Sequence, residues 1–173
     1  MICLALCFLN SFFLAIPDSD GWVPIEQPVA VEDEIEEEGG RGVLFSLSIG
    51  EGRFWVRFPS EPSYIYTKDG VEVIASSDVA IFQLHVMSHG GADLASLFAI
   101  EKNALIGVDI LEEKLDLERG QFHIAYLFEG QWHAKDYVST SHALYVFHTC
   151  SSSQPQDLQH EAFVSSLQKF KQK

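Results

Sequence analysis

The clearest pattern in the chain is the alternation of apolar and polar positions between residues 109 and 149, which predicts four consecutive antiparallel strands. They span residues 110–117, 121–128, 131–139 and 143–149. The second has apolar side chains at every other position: Phe122, Ile124, Tyr126 and Phe128. This period of two is that of a half-buried strand. Glu129-Gly130 predicts a tight hairpin turn of the primed type, because glycine accepts positive φ.

Further strands are predicted upstream of this meander, where apolar residues alternate again: 43–49, 53–58, 71–75 and 79–87. A helix is predicted over residues 92–106, with Asp93 or Ser88 as its N-cap and Gly107 as its stop. Its apolar stripe is interrupted only by Glu101: Leu94, Leu97, Phe98, Glu101 and Leu105.

A second helix is predicted over residues 157–171, because Phe163, Leu167 and Phe170 fall on one helical stripe. The element order is therefore strands, helix, four strands, helix. Sequence-adjacent strands with segregated helices indicate an α+β fold, an antiparallel sheet flanked by two helices. Lys135 and Asp136 are neighbours in the third meander strand and therefore put a charge on each of its faces. The sequence does not decide which of these faces is buried.

The chain divides into three parts by composition: an apolar leader over residues 1–16, a linker over 17–41 and one α+β domain over 42–173. The leader is uncharged and too short for a membrane span of about 20 residues. It favours a secretory signal peptide. An uncleaved anchor and a buried first element of the fold are the alternatives. The protein is thus expected to be exported, as a periplasmic, envelope-associated or secreted protein, with membrane contact only through an uncleaved leader.

The linker contains Pro17, Pro24 and Pro28, which interrupt regular structure, and a block of like charge over residues 32–38. Such blocks repel themselves and favour a solvated tether. The alternative is an acidic arm that docks on a basic partner. The net charge of −14 argues against binding to nucleic acids or anionic membranes, because both require a basic patch.

No catalytic, metal or cofactor motif stands out. The seven histidines are expected to be scattered, and His85 and His89, four residues apart, lack the further ligands that zinc needs. Ser88-His89-Gly90-Gly91 is similar to an esterase oxyanion loop, but the nucleophile motif Gly-x-Ser-x-Gly is missing. Cys150 is expected to be buried and inert. With His148 or His160 it could form a nucleophile–base pair, which is the thiol-enzyme alternative.

Three aromatic residues have no clear place in the predicted core: Trp55, Trp132 and Tyr137. If these side chains cluster in solvent, they would form a surface for a partner or ligand.

The domain resembles the PsbP-like family, which includes the extrinsic subunit of photosystem II and, more distantly, bacterial DcrB-like envelope proteins. The resemblance covers residues 43–170 and rests on the strand 54–62 with its Phe58-Pro59 ending, the helix 92–106, the late strand with Tyr145 and the closing helix. It implies an α/β/α sandwich used for binding or assembly, without shared catalytic residues. The chain is also similar in style to uncharacterised exported bacterial proteins.

These patterns predict an exported, non-enzymatic domain that binds a protein partner. A carrier of a small apolar ligand, held between the helix 92–106 and the sheet, is the first alternative. A thiol- or metal-dependent hydrolase is the second.

Overall fold

The computed structural model describes residues 42–49, 52–67, 70–88, 93–141, 143–152 and 155–170. Within these ranges the upstream elements are β1 (Val43–Ile49), β2 (Gly52–Phe58), β3 (Ser63–Thr67), β4 (Gly70–Ser76), β5 (Ala80–Ser88) and α1 (Leu94–Ala104). The downstream elements are β6 (Asp109–Asp116), β7 (Gln121–Phe128), β8 (Gln131–Ser139), β9 (Ala143–Ser151), α2 (Asp157–Ser165) and β10 (Gln168–Phe170).

A seven-stranded antiparallel sheet organises the domain, in the order β3-β4-β5-β9-β8-β7-β6. The predicted α+β class is confirmed for the described residues, which are mostly antiparallel sheet and include two helices. The meander forms β6 to β9 as predicted, and each strand pairs with the next. Glu129 and Gly130 have φ of 50° and 75°, as the primed hairpin turn between β7 and β8 requires.

A second sheet, with the order β1-β2-β10, covers one face of the large sheet together with α2. The core on this face consists mainly of aromatic and β-branched side chains: Phe45, Phe54, Val56, Phe58, Val71, Val73, Phe82, Leu84, Val86, Tyr145, Phe147 and Phe163. Helix α2 contacts β2, β8 and β9. We call this side of the large sheet the α2 face.

Helix α1 covers the opposite side, which we call the α1 face. Asp93 is its N-cap, and its carboxylate accepts hydrogen bonds from the backbone N–H groups of Ala95 and Ser96 at 3.3 and 3.2 Å. The predicted stripe packs on the sheet, with Leu94 and Leu97 buried against Phe122 and other side chains. Apolar contacts of this kind lie at the interface where the sequence predicted a ligand pocket.

The second helix is shorter than predicted. It ends at Ser165, and residues 168–170 form β10, which pairs with β2. Ser166 makes the transition, because its hydroxyl accepts the Arg57 N–H at 2.9 Å and donates to the Phe163 carbonyl at 2.7 Å. The predicted helical stripe through Phe170 is wrong, since the edge of β2 offers this segment strand hydrogen bonds instead.

The predicted leader over residues 1–16 and the linker over 17–41 lie outside the described residues. Neither helix of the described part is long and apolar enough to cross a membrane.

Candidate metal centre

Two neighbouring charged residues of β8 have their partners on opposite faces of the large sheet. Successive side chains of a strand alternate between faces. On the α1 face, Lys135 contacts Glu101 of α1, with 2.5 Å between Nζ and Oε1. On the α2 face, Asp136 contacts two histidines. From the sequence, these two charged residues did not decide which face of the strand is buried. In the structure both are paired inside the protein.

Asp136 lies at the centre of a cluster with His123 of β7 and His160 of α2. Its Oδ2 atom is 2.7 Å from His123 Nδ1 and 2.7 Å from His160 Nε2. His123 lies opposite Asp136 in the β7–β8 register, and α2 brings His160 over β8. The three potential ligand atoms all lie within 4.8 Å of one another. We call these three residues the His-Asp-His cluster.

Thr149 of β9 contacts the ring nitrogen of His160 that does not face Asp136. Its Oγ1 is 2.7 Å from His160 Nδ1, and both side chains are almost fully buried. A hydroxyl can donate or accept, so Thr149 can pair with either neutral tautomer of His160. The ring is therefore oriented whether its Nε2 atom carries a proton or a lone pair.

The His-Asp-His cluster lines a cleft of about 580 Å³ between α2 and the strands β6, β7 and β8. The side chains of His123 and Asp136 are 23% and 17% exposed, whereas His160 is 2% exposed. The other charged residues of the lining are four carboxylates and one lysine: Glu112, Asp116, Asp157, Glu161 and Lys114. The cluster therefore faces a solvent-accessible cleft with an excess of negative charge.

Electrostatics in the cluster favour an ionised Asp136. Burial alone would raise the pKa of this carboxyl, but hydrogen bonds and positive charge from His123 and His160 outweigh it and lower the pKa below 3.8. Burial likewise opposes protonation of His123, but Asp136, Glu112 and Asp157 raise its pKa above 6.5. The stabilisation from His123 is thus full below pH 6.5 and lost as the pH rises through its folded pKa.

A second histidine pair lies on the α1 face. His133 Nδ1 is 3.1 Å from His148 Nε2, and His148 Nδ1 is 2.7 Å from Gln83 Oε1. Burial, with the charge of Lys135, lowers the pKa of His133 to about 4 and that of His148 well below 6.5. These two imidazoles are therefore neutral at physiological pH.

His133 should make the domain sensitive to acid. Its folded pKa lies below the unfolded value, so protons favour the unfolded chain as the pH falls from 6.5 to 4. The expected loss from this group is about 3 kcal/mol. Urea unfolding at pH 7, 5 and 4 should show a shallower pH dependence for His133→Phe, which keeps a ring on Tyr126. An unchanged pH dependence would contradict this assignment.

The two histidines that the thiol-enzyme alternative pairs with Cys150 have other hydrogen-bond partners. This thiol is buried and 3.5 Å from Gln131 Oε1. Both ring nitrogens of His148 are bonded to Gln83 and His133, and both of His160 to Thr149 and Asp136. The ring nitrogens of both imidazoles are thus engaged by groups other than the thiol.

The three aromatic residues of the predicted partner surface do not lie together in solvent. Trp132 and Tyr137 are 3% and 7% exposed and lie on opposite faces of β8. The Tyr137 hydroxyl donates to Glu101 Oε1 at 2.8 Å, and its ring stacks on Phe122. Trp55 is half-buried on the small sheet. Burial thus removes Trp132 and Tyr137 from an exposed surface.

His85 is half-buried on β5, whereas His89 and the rest of the oxyanion-like stretch after Ser88 lie outside the described residues.

The structure brings together residues that the sequence did not connect, namely His123, Asp136 and His160. One signal was available, because a two-residue turn at residues 129–130 sets His123 opposite Asp136. No pattern in the sequence places His160 beside them.

Comparison with known proteins gives no relative: no family model, no curated protein and no solved structure matches this chain. The resemblance to the PsbP-like family therefore stays a prediction.

Proposed function

We propose that this domain binds one divalent transition-metal ion at the His-Asp-His cluster. The observation that carries the proposal is the convergence of two imidazole nitrogens and one carboxylate oxygen, from three different elements, within 4.8 Å at the wall of an open cleft. Two histidines and one carboxylate form a donor set that zinc and iron(II) use in proteins.

The spacing of the ligand atoms fits a metal ion. Tetrahedral zinc bonds of about 2.0–2.2 Å place neighbouring ligand atoms roughly 3.3–3.6 Å apart. The two contacts of Asp136 Oδ2 are 2.7 Å long, so each must lengthen by roughly 0.6–0.9 Å for two coordination bonds to replace the two hydrogen bonds. His123 and Asp136 are the two partly exposed side chains of the cluster, so a shift of both would lengthen both contacts while His160 stays in place.

Binding requires that His123 Nδ1 and His160 Nε2 present lone pairs. A protonated ring must lose one proton to the solvent, and the neutral ring then carries its remaining proton on the other nitrogen. In His160 that proton would be donated to Thr149 Oγ1. Asp136 is ionised already and is ready to act as a ligand. The carboxylates of the cleft raise the local concentration of cations.

Three protein ligands leave at least one coordination position open toward the cleft, as in catalytic zinc sites. An open position is also what the metal-dependent hydrolase alternative would need. The exported protein-binding domain and the apolar-ligand carrier stay predictions. The charged lining of the cleft favours an ion over an apolar molecule at this site.

Zinc titration of the full-length chain by isothermal calorimetry, with a competing chelator, tests the proposal. We expect one zinc ion per chain and an affinity at least about 100-fold lower for Asp136→Asn, because loss of a ligand should cost more than the 10–100-fold typical of an outer hydrogen-bond partner.

The matched control is Asp116→Asn, which removes the same charge from the same cleft without touching the cluster. Salt screens the interaction between the metal ion and a charge that does not contact it, so this variant should change zinc affinity by less than about threefold. If the wild-type chain binds no zinc, or if both variants lose affinity equally, the proposal is wrong, and the cluster is a hydrogen-bonded link between α2 and the sheet.

A further inference from the structure

The large sheet has two edge strands, and the two differ in chemistry. β6 and β3 are the terminal strands among the described residues. An edge strand offers unpaired backbone groups to another chain, and proteins commonly protect such edges with charge or with a bulge. β6 has both, since it carries five charged residues and a bulge between Ile110 and Glu112.

β3 carries neither a charge nor a bulge. Its sequence is Ser-Tyr-Ile-Tyr-Thr, and its register with β4 is regular over all five residues. Tyr64, Ile65 and Tyr66 are 42%, 55% and 47% exposed. No strand of the described residues lies beyond β3, so in this part of the chain the edge combines exposed apolar side chains with a backbone that no strand covers, the combination that favours strand pairing between chains.

The sequence of β3 is also nearly palindromic about Ile65. In an antiparallel pair of identical strands centred on this residue, Ile65 lies opposite Ile65, each Tyr64 lies opposite a Tyr66, and each Ser63 lies opposite a Thr67. Aromatic pairs and Ser/Thr pairs are favourable cross-strand neighbours. A two-fold interface needs self-complementarity of this kind.

We propose that β3 pairs with β3 of a second copy of this chain, antiparallel about a two-fold axis at Ile65, so that two large sheets join into one. Tyr64 already packs beside Phe45 and Tyr66, with ring centroids 5.7 and 6.1 Å apart. The partner's tyrosines extend this row of rings on the α2 face. The paired Ile65 side chains lie on the α1 face, where each is opposite Glu72 of its own chain.

Salt should strengthen this dimer. Each chain has a net charge of −14, so two copies repel each other, and dissolved salt screens that repulsion. A five-residue strand pair is small beside stable interfaces, which bury about 1,200–2,000 Å². The dimer is therefore weak and appears only as the protein concentration rises.

Sedimentation velocity of the full-length chain across a concentration series, at low and high salt, measures this association. We expect the weight-average sedimentation coefficient to rise with concentration, and more so at high salt. Ile65→Lys should abolish the rise, because it sets two like charges directly opposite each other. Leu115→Lys, an equal change at an exposed residue of β6, should leave it intact. A concentration-independent coefficient, or equal loss in both variants, overturns the proposal.

Cysteine cross-linking tests the register in chains whose Cys3 and Cys7 are replaced by serine. Directly opposed antiparallel residues have Cα atoms about 4.5–5.5 Å apart, within disulfide range. Ile65→Cys should therefore give a covalent dimer on mild oxidation. Tyr64→Cys should not, because the two copies of residue 64 are offset along the strands. Cross-linking of both variants, or of neither, contradicts pairing about Ile65.

Discussion

Replacing Lys135 with methionine should lower the free energy of unfolding by about 3–5 kcal/mol, the usual cost of removing one partner from a buried ion pair. Lys135 and Glu101 have side chains that are 16% and 9% exposed. Without the ammonium group, the Glu101 carboxylate keeps the Tyr137 hydroxyl but stays in an apolar environment with its charge unpaired. Urea unfolding at pH 7 measures the loss.

The control for this variant is Lys102, which lies on α1 next to Glu101, the partner of Lys135. Lys102 pairs with Glu113 at 2.8 Å, but these side chains are 39% and 41% exposed. Lys102→Met should therefore cost less than about 1 kcal/mol. The double variant Lys135→Met/Glu101→Gln should recover part of the loss, because no unpaired charge remains. Equal costs for Lys135→Met and Lys102→Met would show that burial does not set the strength of these pairs.

Truncation of Phe163 to alanine should also cost about 3–5 kcal/mol. This ring is buried and lies against Phe58, Phe82 and Phe147, with centroids 5.0–5.5 Å away. The Phe163 ring packs between α2 and both sheets, so its removal leaves a cavity at the centre of the α2 face. Because α2 also carries His160, zinc affinity should fall with stability.

Leu158 provides the comparison, since it lies on the same helix and is 82% exposed. Leu158→Ala should change stability by less than about 0.5 kcal/mol and leave zinc affinity unchanged. Calorimetric zinc titration and urea unfolding on both variants test the two effects together. A Phe163→Ala variant that matches Leu158→Ala in stability would mean that α2 is not held by this contact.

The meander could be predicted because its strands and turns have signals in the local sequence. Apolar alternation marks β7, and the Glu129-Gly130 turn fixes its register with β8. The residues 63–67 of β3 gave no such signal, since their apolar side chains fall on both faces. β10 was predicted as helix, because three residues are too few for a period and their partner β2 is more than 100 positions away.

The candidate site was only half visible for the same reason. Glu101 in an apolar helix stripe, and Lys135 and Asp136 inside a strand, were anomalies that the sequence displayed. Glu101 is buried, Lys135 and Asp136 are partly buried, and each of the three charges has a partner inside the protein. The partners come from other elements, however, and only the packing of α2 on the large sheet brings His160 to Asp136.

Nitrogen-15 NMR of the histidine rings, recorded with and without one equivalent of zinc, tests the central claim most directly. We predict large shifts of His123 Nδ1 and His160 Nε2, the two nitrogens that face Asp136 Oδ2. The ring nitrogens of His133 and His148, on the opposite face, should not change. Zinc-induced shifts at His133 or His148 instead, or at no histidine, would contradict a metal ion at the His-Asp-His cluster.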